Sequence, residues 1–221
     1  MANTDRLIQG FGRFKKQYFG HDGRLYASMK TGQPAKTLMV GCCDSRVDPA
    51  ILTDCDPGDL FIIRNVANLI PPCENDGRHH GTSSALEFAV NYLQVENIIV
   101  MGHANCGGIR ALWEDEGRQN SKFIHQWVSI AQPAKDWVRQ HHQGTEVSQL
   151  RACEQRAVLV SLDNLMSFEC VRERTEQGKL TLHGWYFDLA AGELLCFNPQ
   201  TGEFEPVQEP KILSNEEIIS R

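Results

Sequence analysis

An α/β fold built on a mostly parallel sheet is what this sequence predicts, on three observations. First, "KTLMVGC" (36–42), "DLFIIR" (59–64) and "ENIIVMG" (96–102) are near-continuous apolar runs, as expected of strands buried on both faces. Second, "TSSALEFAVNYLQ" (82–94) lies between the second and third runs. Its Leu86, Phe88, Ala89, Val90 and Leu93 supply apolar helix surface, and Thr82 or Ser83 can cap it. A strand–helix–strand unit of this kind implies parallel strands with right-handed crossovers. Third, side chains able to do chemistry gather just after the carboxyl ends of the first and third runs, where open α/β sheets place their ligands.

The other elements follow in order. Leu7, Phe11, Phe14 and Tyr18 form one helical stripe ahead of the first strand, able to pack on its own domain or on a partner subunit. "LTLHGWYF" (180–187) reads as a fourth strand and "GELLCF" (192–197) as an added edge strand. The stretch 107–178 reads as mostly helical, with a break at Gln132–Pro133 and turns near Gly117 and Gly144. Beyond Asn198, prolines, Gly202 and acidic residues predict an irregular tail with a short helix near 214–219. The 221 residues fit a single domain: an N-terminal helical arm (1–35), an α/β core (36–197) and a C-terminal tail (198–221).

Composition narrows the function. The net charge is −6 and the basic residues are scattered, which argues against nucleic acid or an anionic membrane as partner. No apolar run is long enough to span a bilayer, and "MANTDRLIQGFGRFKKQYF" lacks the apolar centre of a secretory signal. A cytoplasmic protein is expected. In that setting eight cysteines point to metal binding or catalysis rather than to disulfides.

Two loops carry the chemistry. One offers Cys42, Cys43, Asp44 and Arg46; the other, "MGHANCGGIR" (101–110), offers His103 and Cys106. The H-x-x-C spacing at a strand-to-helix turn can aim both of the latter at one point. With one cysteine from the first loop they form a Cys₂His set with a fourth position open, the donor set of a catalytic zinc site. Cys43 is the alternative to Cys42, although strand alternation turns it the other way. Gly107 and Gly108 let the backbone approach closely and expose amides at a helix start, which favours the Cys106 thiolate. Asp44 can accept a hydrogen bond from a metal-bound oxygen, and Arg46 can hold Asp44 ionised.

"CCDSR" together with "HANCGG", extended through "DPGDLFIIRNVAN" and "GTSSALEFAV", resembles the paired motifs of the β-class carbonic anhydrases. The resemblance implies one Zn²⁺ per chain on Cys42, His103 and Cys106, with the Asp44–Arg46 dyad beside it. It implies reversible hydration of CO₂ to bicarbonate and a proton by zinc-bound hydroxide. It also implies a mostly parallel four-stranded sheet with an added edge strand, flanked by helices. The assembly implied is a homodimer or homotetramer whose N-terminal helix embraces a neighbour. Gln33, Phe61 and Val66 match substrate-pocket positions of plant-like members, and Phe88 stands where those members have a tyrosine. A second subgroup carries a non-catalytic bicarbonate site of Trp, Arg and Tyr. Here those positions are Met39, Arg64 and Phe187, so inhibition by bicarbonate is not expected.

Three other functions compete. A COS or CS₂ hydrolase could use the same zinc site. A structural or sensing zinc module would need neither the Asp44–Arg46 pair nor an apolar pocket. A cysteine phosphatase would need arginine six residues after its cysteine, where Asp48 and Pro49 stand. Cys55, Cys73, Cys153, Cys170 and Cys196 show no ligand spacing and read as packing. His79 and His80 read as surface or interface residues, His125, His141 and His142 as lying on solvated helix faces, and His183 as a satisfied core histidine.

Overall fold

The computed structural model describes residues 3–20, 23–114 and 122–207. Helices α1 (Asn3–Phe19) and α2 (Arg24–Ser28) precede β1 (Thr37–Cys42), α3 (Pro49–Thr53) and β2 (Leu60–Asn65). A 3₁₀ turn (Val66–Asn68) leads to α4 (Gly81–Glu87), which continues as a π-helical turn (Phe88–Leu93) before β3 (Asn97–His103). Then come α5 (Gly107–Trp113), α6 (Ile124–Val128), α7 (Gln132–His141), α8 (Glu146–Leu165) and α9 (Glu169–Glu176). Strands β4 (Thr181–Asp188), β5 (Glu193–Asn198) and β6 (Glu203–Pro206) close the described chain.

The strands form one sheet in the order β2-β1-β3-β4-β5-β6. The first four are mutually parallel, and β5 and β6 are added antiparallel. The parallel sheet with its antiparallel edge is as expected, but the tail after Asn198 is not irregular throughout. Gly202, at a φ of 77°, turns the chain back so that β6 pairs with β5; a left-handed backbone of this kind favours glycine. The helix expected near 214–219 and the turn at Gly117 lie outside the described residues.

Two local expectations are corrected. Thr82 and Ser83 do not cap α4: His80 holds the N-cap position without a side-chain bond, and the Thr82 hydroxyl instead faces the Asn65 amide nitrogen at 3.4 Å. His142 is not on a solvated face but half-buried at the C-cap of α7. The break at Gln132–Pro133 is the start of α7, where a proline's missing N–H leaves no helical carbonyl unpaired.

Packing explains how the sheet presents its carboxyl ends. Leu38, Val40, Ile98 and Val100 pack with Leu86, Val90 and Val158 in one buried cluster. A second cluster beneath the chemical loops joins Cys42, Ala67 and Cys106 to Ile109, Leu150, Cys153 and Ala157. Helix α8 lies close on β3 and β4 because Gly102 and Gly184 make a trough for it. A Cβ on Gly102 would stand 2.7 Å from Val158 Cγ2, and one on Gly184 3.2 Å from Val158 Cγ1. The stripe of α1 packs on α2 through Phe14, whose ring lies 5.8 Å from Tyr26, while Leu7 and Phe11 stay exposed.

Candidate metal centre

Cys42 is the last residue of β1, His103 the last of β3, and Cys106 the N-cap of α5. Strands β1 and β3 are register neighbours, so both loops open at the same edge of the sheet. The ligand-type atoms of the three residues lie within 4.8 Å of one another. All three side chains are buried, none more than 5% exposed. Cys43 is exposed, as strand alternation requires, and stands apart from the cluster.

The histidine is aimed by its neighbour. Nδ1 of His103 lies 3.0 Å from the Ala104 carbonyl, which can only accept, so Nδ1 carries the proton. Nε2 is buried and has no hydrogen-bond partner among the described residues. A buried lone pair left without a donor, beside two sulfurs, suits a soft divalent cation; the Cys₂His set fits zinc with one position for solvent.

The sulfurs are electrostatically coupled. The hydrogen bond from the Cys106 thiol outweighs burial and pulls the Cys42 pKa down, helped by His103 and the amides of Asp44 and Ala67. Bonding to that thiolate, together with burial, pushes Cys106 up. Burial opposes charge on His103, but the Cys42 thiolate prevails and raises it. Without a cation one negative charge is shared; a divalent ion would displace the remaining proton.

Asp44 and Arg46 form a bidentate pair beside the cluster. Asp44 Oδ1 accepts from Arg46 Nε at 2.9 Å and from the Arg46 backbone N–H at 3.0 Å, and Oδ2 accepts from Nη2 at 2.6 Å. The guanidinium holds Asp44 well below the usual carboxylate range. Nη2 also donates to the Asn105 carbonyl at 3.1 Å, so Arg46 ties the first loop to the second. Each guanidinium nitrogen of Arg64 donates once, from below the site. Its Nε donates to Cys42 O at 2.9 Å, Nη2 to Asp44 O at 2.8 Å and Nη1 to Asp48 Oδ2 at 2.6 Å.

The turn after β2 forms the apolar wall. Ala67 and Asn68 both adopt positive φ, 64° and 49°, a costly backbone for residues with a Cβ. The turn is over-determined. Asn65 bonds both backbone groups of Leu69, and Trp127 Nε1 donates to the Val66 carbonyl at 2.7 Å. Gly108 lets the second loop close on it, since a Cβ there would stand 2.7 Å from Val66 Cγ1 and 2.9 Å from Ala67 Cβ. Gly107 differs from the expectation: a Cβ there would meet nothing within 4 Å, so close approach needs only the second glycine.

Within one chain the other pocket candidates are elsewhere. Phe61 pairs in register with Leu38, four residues before the Asn65–Cys42 pair, about 13 Å along the strand. Its ring packs on Phe88 at 5.8 Å, and Phe88 on Tyr92 at 5.3 Å. Gln33 is exposed at the amino end of β1. Glu74, Asp76 and His80 also cluster, on an exposed loop, where Arg78 and His80 both lie against the Asp76 carboxylate.

Sequence reading missed Glu154. It is buried, accepts from the Cys106 N–H at 2.9 Å and the Tyr186 hydroxyl at 2.7 Å, and burial raises its pKa against those bonds. The signal was there: Glu154 interrupts the buried stripe Leu150, Cys153, Ala157, Val158, Ser161 of α8.

Comparison with known proteins agrees with this geometry. The carbonic anhydrase family model matches residues 37–194. Beta carbonic anhydrase 5, chloroplastic, of Arabidopsis thaliana is 41% identical over 187 residues, covering 83% of this chain but 61% of the relative. Beta carbonic anhydrase 3 of Arabidopsis thaliana is 38% identical over 193 residues, covering 86% of this chain and 74% of the relative. The chain thus spans about three fifths of the length of the chloroplastic relative. Among solved structures, the β-carbonic anhydrase CcaA superposes with a TM-score of 0.87 at 29% identity, over 95% of this chain and 94% of that one.

Proposed function

Because this chain belongs to the β-class carbonic anhydrase family, in its plant-like branch, we propose that it catalyses the reversible hydration of CO₂ to bicarbonate and a proton. The observation that carries this reading is the buried Cys42–His103–Cys106 cluster with an unpartnered His103 Nε2, beside an ionised Asp44. Cys42, His103 and Cys106 would hold one zinc ion per chain, which would supply the Lewis acidity that makes a water nucleophilic at neutral pH.

The side chains around it do the rest. Asp44 offers a carboxylate acceptor that orients the attacking hydroxyl toward the substrate carbon. Arg46 keeps that carboxylate ionised and pinned by both oxygens. Arg64 fixes the backbone on either side of Asp44. Val66 and the Ala67 turn, with Gly108 against them, present the apolar wall suited to a substrate without charge or dipole.

The working form is a homodimer or homotetramer. Phe61 lies about 13 Å along the sheet from its own chain's cluster, Phe88 and Tyr92 stack on from it, and Gln33 is exposed at the amino end of β1. A neighbouring subunit's set completes each pocket. No two of the described cysteines are joined, which suits a reducing compartment and our placement of the protein in the cytoplasm. Among the described residues no helix is long and apolar enough to cross a membrane.

Bicarbonate is product and substrate here, not a regulator. Met39 is fully buried, Phe187 brings no hydroxyl, and every Arg64 nitrogen already donates within the chain, to Cys42, Asp44 and Asp48. The deciding experiment is stopped-flow CO₂ hydration by purified protein of measured zinc content. Hydration proportional to zinc is expected; a zinc-replete protein with no hydration above buffer would overturn the reading.

A further inference from the structure

We propose that Glu154, locked by Tyr186, is a positioning residue for the Cys106 arm of the metal centre. The proposal rests on Cys42, His103 and Cys106 being the zinc ligands. Helix α5 starts at Cys106, whose sulfur is directed at the cluster and whose own backbone N–H needs an acceptor. In a capping box a Glu at the third helical position supplies it. That position is Ile109 here, which has no acceptor, and it is buried. Glu154, 48 residues further along the chain, takes the role instead: its Oε1 accepts from the Cys106 N–H at 2.9 Å.

The carboxylate is itself immobilised. Its Oε2 accepts from the Tyr186 hydroxyl at 2.7 Å, and Tyr186 is fully buried on β4, the strand next to the one that ends in His103. The Arg151 guanidinium lies 5.5 Å over the Tyr186 ring and pairs with Asp188 at 2.7 Å. Helix α8 reaches this depth only because Gly102 and Gly184 leave room for Val158, one turn beyond Glu154. Glu154 therefore links three elements that must keep register for the ligands to converge: α8, the β4 strand and the Cys106 turn. A carboxylate is also the wrong residue for packing alone. Burying it is unfavourable unless its oxygens are used, and both are.

The test compares Glu154→Ala, Glu154→Gln and Tyr186→Phe with the wild type, each purified with zinc and with cobalt substituted for it. Zinc affinity is read by competition with a chromophoric chelator, cobalt geometry by its visible bands, and folding by melting of the metal-free proteins. Glu154→Ala should bind zinc roughly 10–100-fold more weakly, the size expected when a group orienting a ligand is removed, with shifted cobalt bands. Glu154→Gln keeps an acceptor for the Cys106 amide and should recover most of the affinity. Tyr186→Phe, which leaves the carboxylate but frees it, should fall between, and it keeps the proposal testable should Glu154→Ala not fold. A metal-free melt lowered in Glu154→Ala while zinc affinity and cobalt bands stay native would make Glu154 a purely structural residue and overturn the proposal. So would Glu154→Gln losing as much affinity as Glu154→Ala. Failure of the wild type itself to bind zinc would instead overturn the ligand assignment, a distinguishable result.

Discussion

At the carboxyl ends of β1 and β3 the three ligand side chains are at most 5% exposed, and Arg46, Arg64 and Glu154 tie the surrounding backbone. Along the β2 edge and α1 the opposite holds: Ile62, Phe88, Phe11, Leu7 and Tyr92 range from 37% to 74% exposed. One region is finished within a single chain, polar groups included. The other leaves large apolar side chains facing outward, on α1 and along the Phe61–Phe88–Tyr92 stack, which a monomer has no use for. The difference teaches that metal binding and substrate access have separate structural sources. The first depends on contacts inside the subunit, and on the proposed reading the second depends on a surface that assembly covers.

The sharpest way to break this division is Cys106→Ser. It should lower zinc affinity more than ~100-fold, beyond the loss typical of groups that merely orient a ligand, and abolish hydration while the oligomer persists. Metal analysis and light scattering on one preparation check both halves; retained zinc would sink the assignment. Asp44→Asn should keep zinc and lose roughly 100-fold in kcat, since the amide lacks the carboxylate's charge and one of its acceptor sites. Arg46→Ala should act in the same direction and also loosen the link to Asn105. Wild-type hydration by Asp44→Asn would make the dyad structural only.

Changes to the other region should act through assembly. Deleting residues 1–19, or making Phe88→Asp on the β2 edge, should weaken the oligomer and lower activity together while zinc per chain stays constant. Full activity in a variant that is monomeric by light scattering would dissolve the comparison. A smaller effect separates the two glycines. Gly108→Ala should destabilise by about 1–3 kcal/mol through overpacking against Val66 and Ala67, whereas Gly107→Ala should be within about 1 kcal/mol of neutral or slightly stabilising. Denaturant midpoints measure both.

The smallest effect is in acid. The Asp44 pKa is depressed in the fold by Arg46, so the stability its ionised form contributes is complete above the ordinary carboxylate range, about pH 4. It is lost as pH falls through the lower folded value. The gap between wild-type and Asp44→Asn denaturation midpoints should therefore hold from pH 7 down to about 4 and narrow only below. A gap that closes near pH 6 would mean that Arg46 does not hold the carboxylate.

The ligand trio and the dyad were legible in the sequence because they are local signals. Cys42, Asp44 and Arg46 lie within five residues, and His103 and Cys106 within four, each set at the end of a recognisable apolar strand. The parallel core was legible for the same reason, since burial on both faces writes itself as continuous apolar runs. Strand β6 was not, because Glu203–Pro206 has no apolar period of its own and exists by pairing with β5. Nor were the partners of Glu154, Cys106 and Tyr186 at 48 and 32 residues away, or that of Trp127, which reaches 61 residues back to Val66. The different standing of Gly107 and Gly108 was equally invisible, since only the positions of Val66 and Ala67 distinguish them. Sequence by itself determined which atoms can bind the metal and which strands carry them, because those properties belong to residue type and short spacing. Tertiary structure alone decided which groups tie the backbone around the cluster and how far along the sheet Phe61 lies from it, because both follow from distances between segments far apart along the backbone.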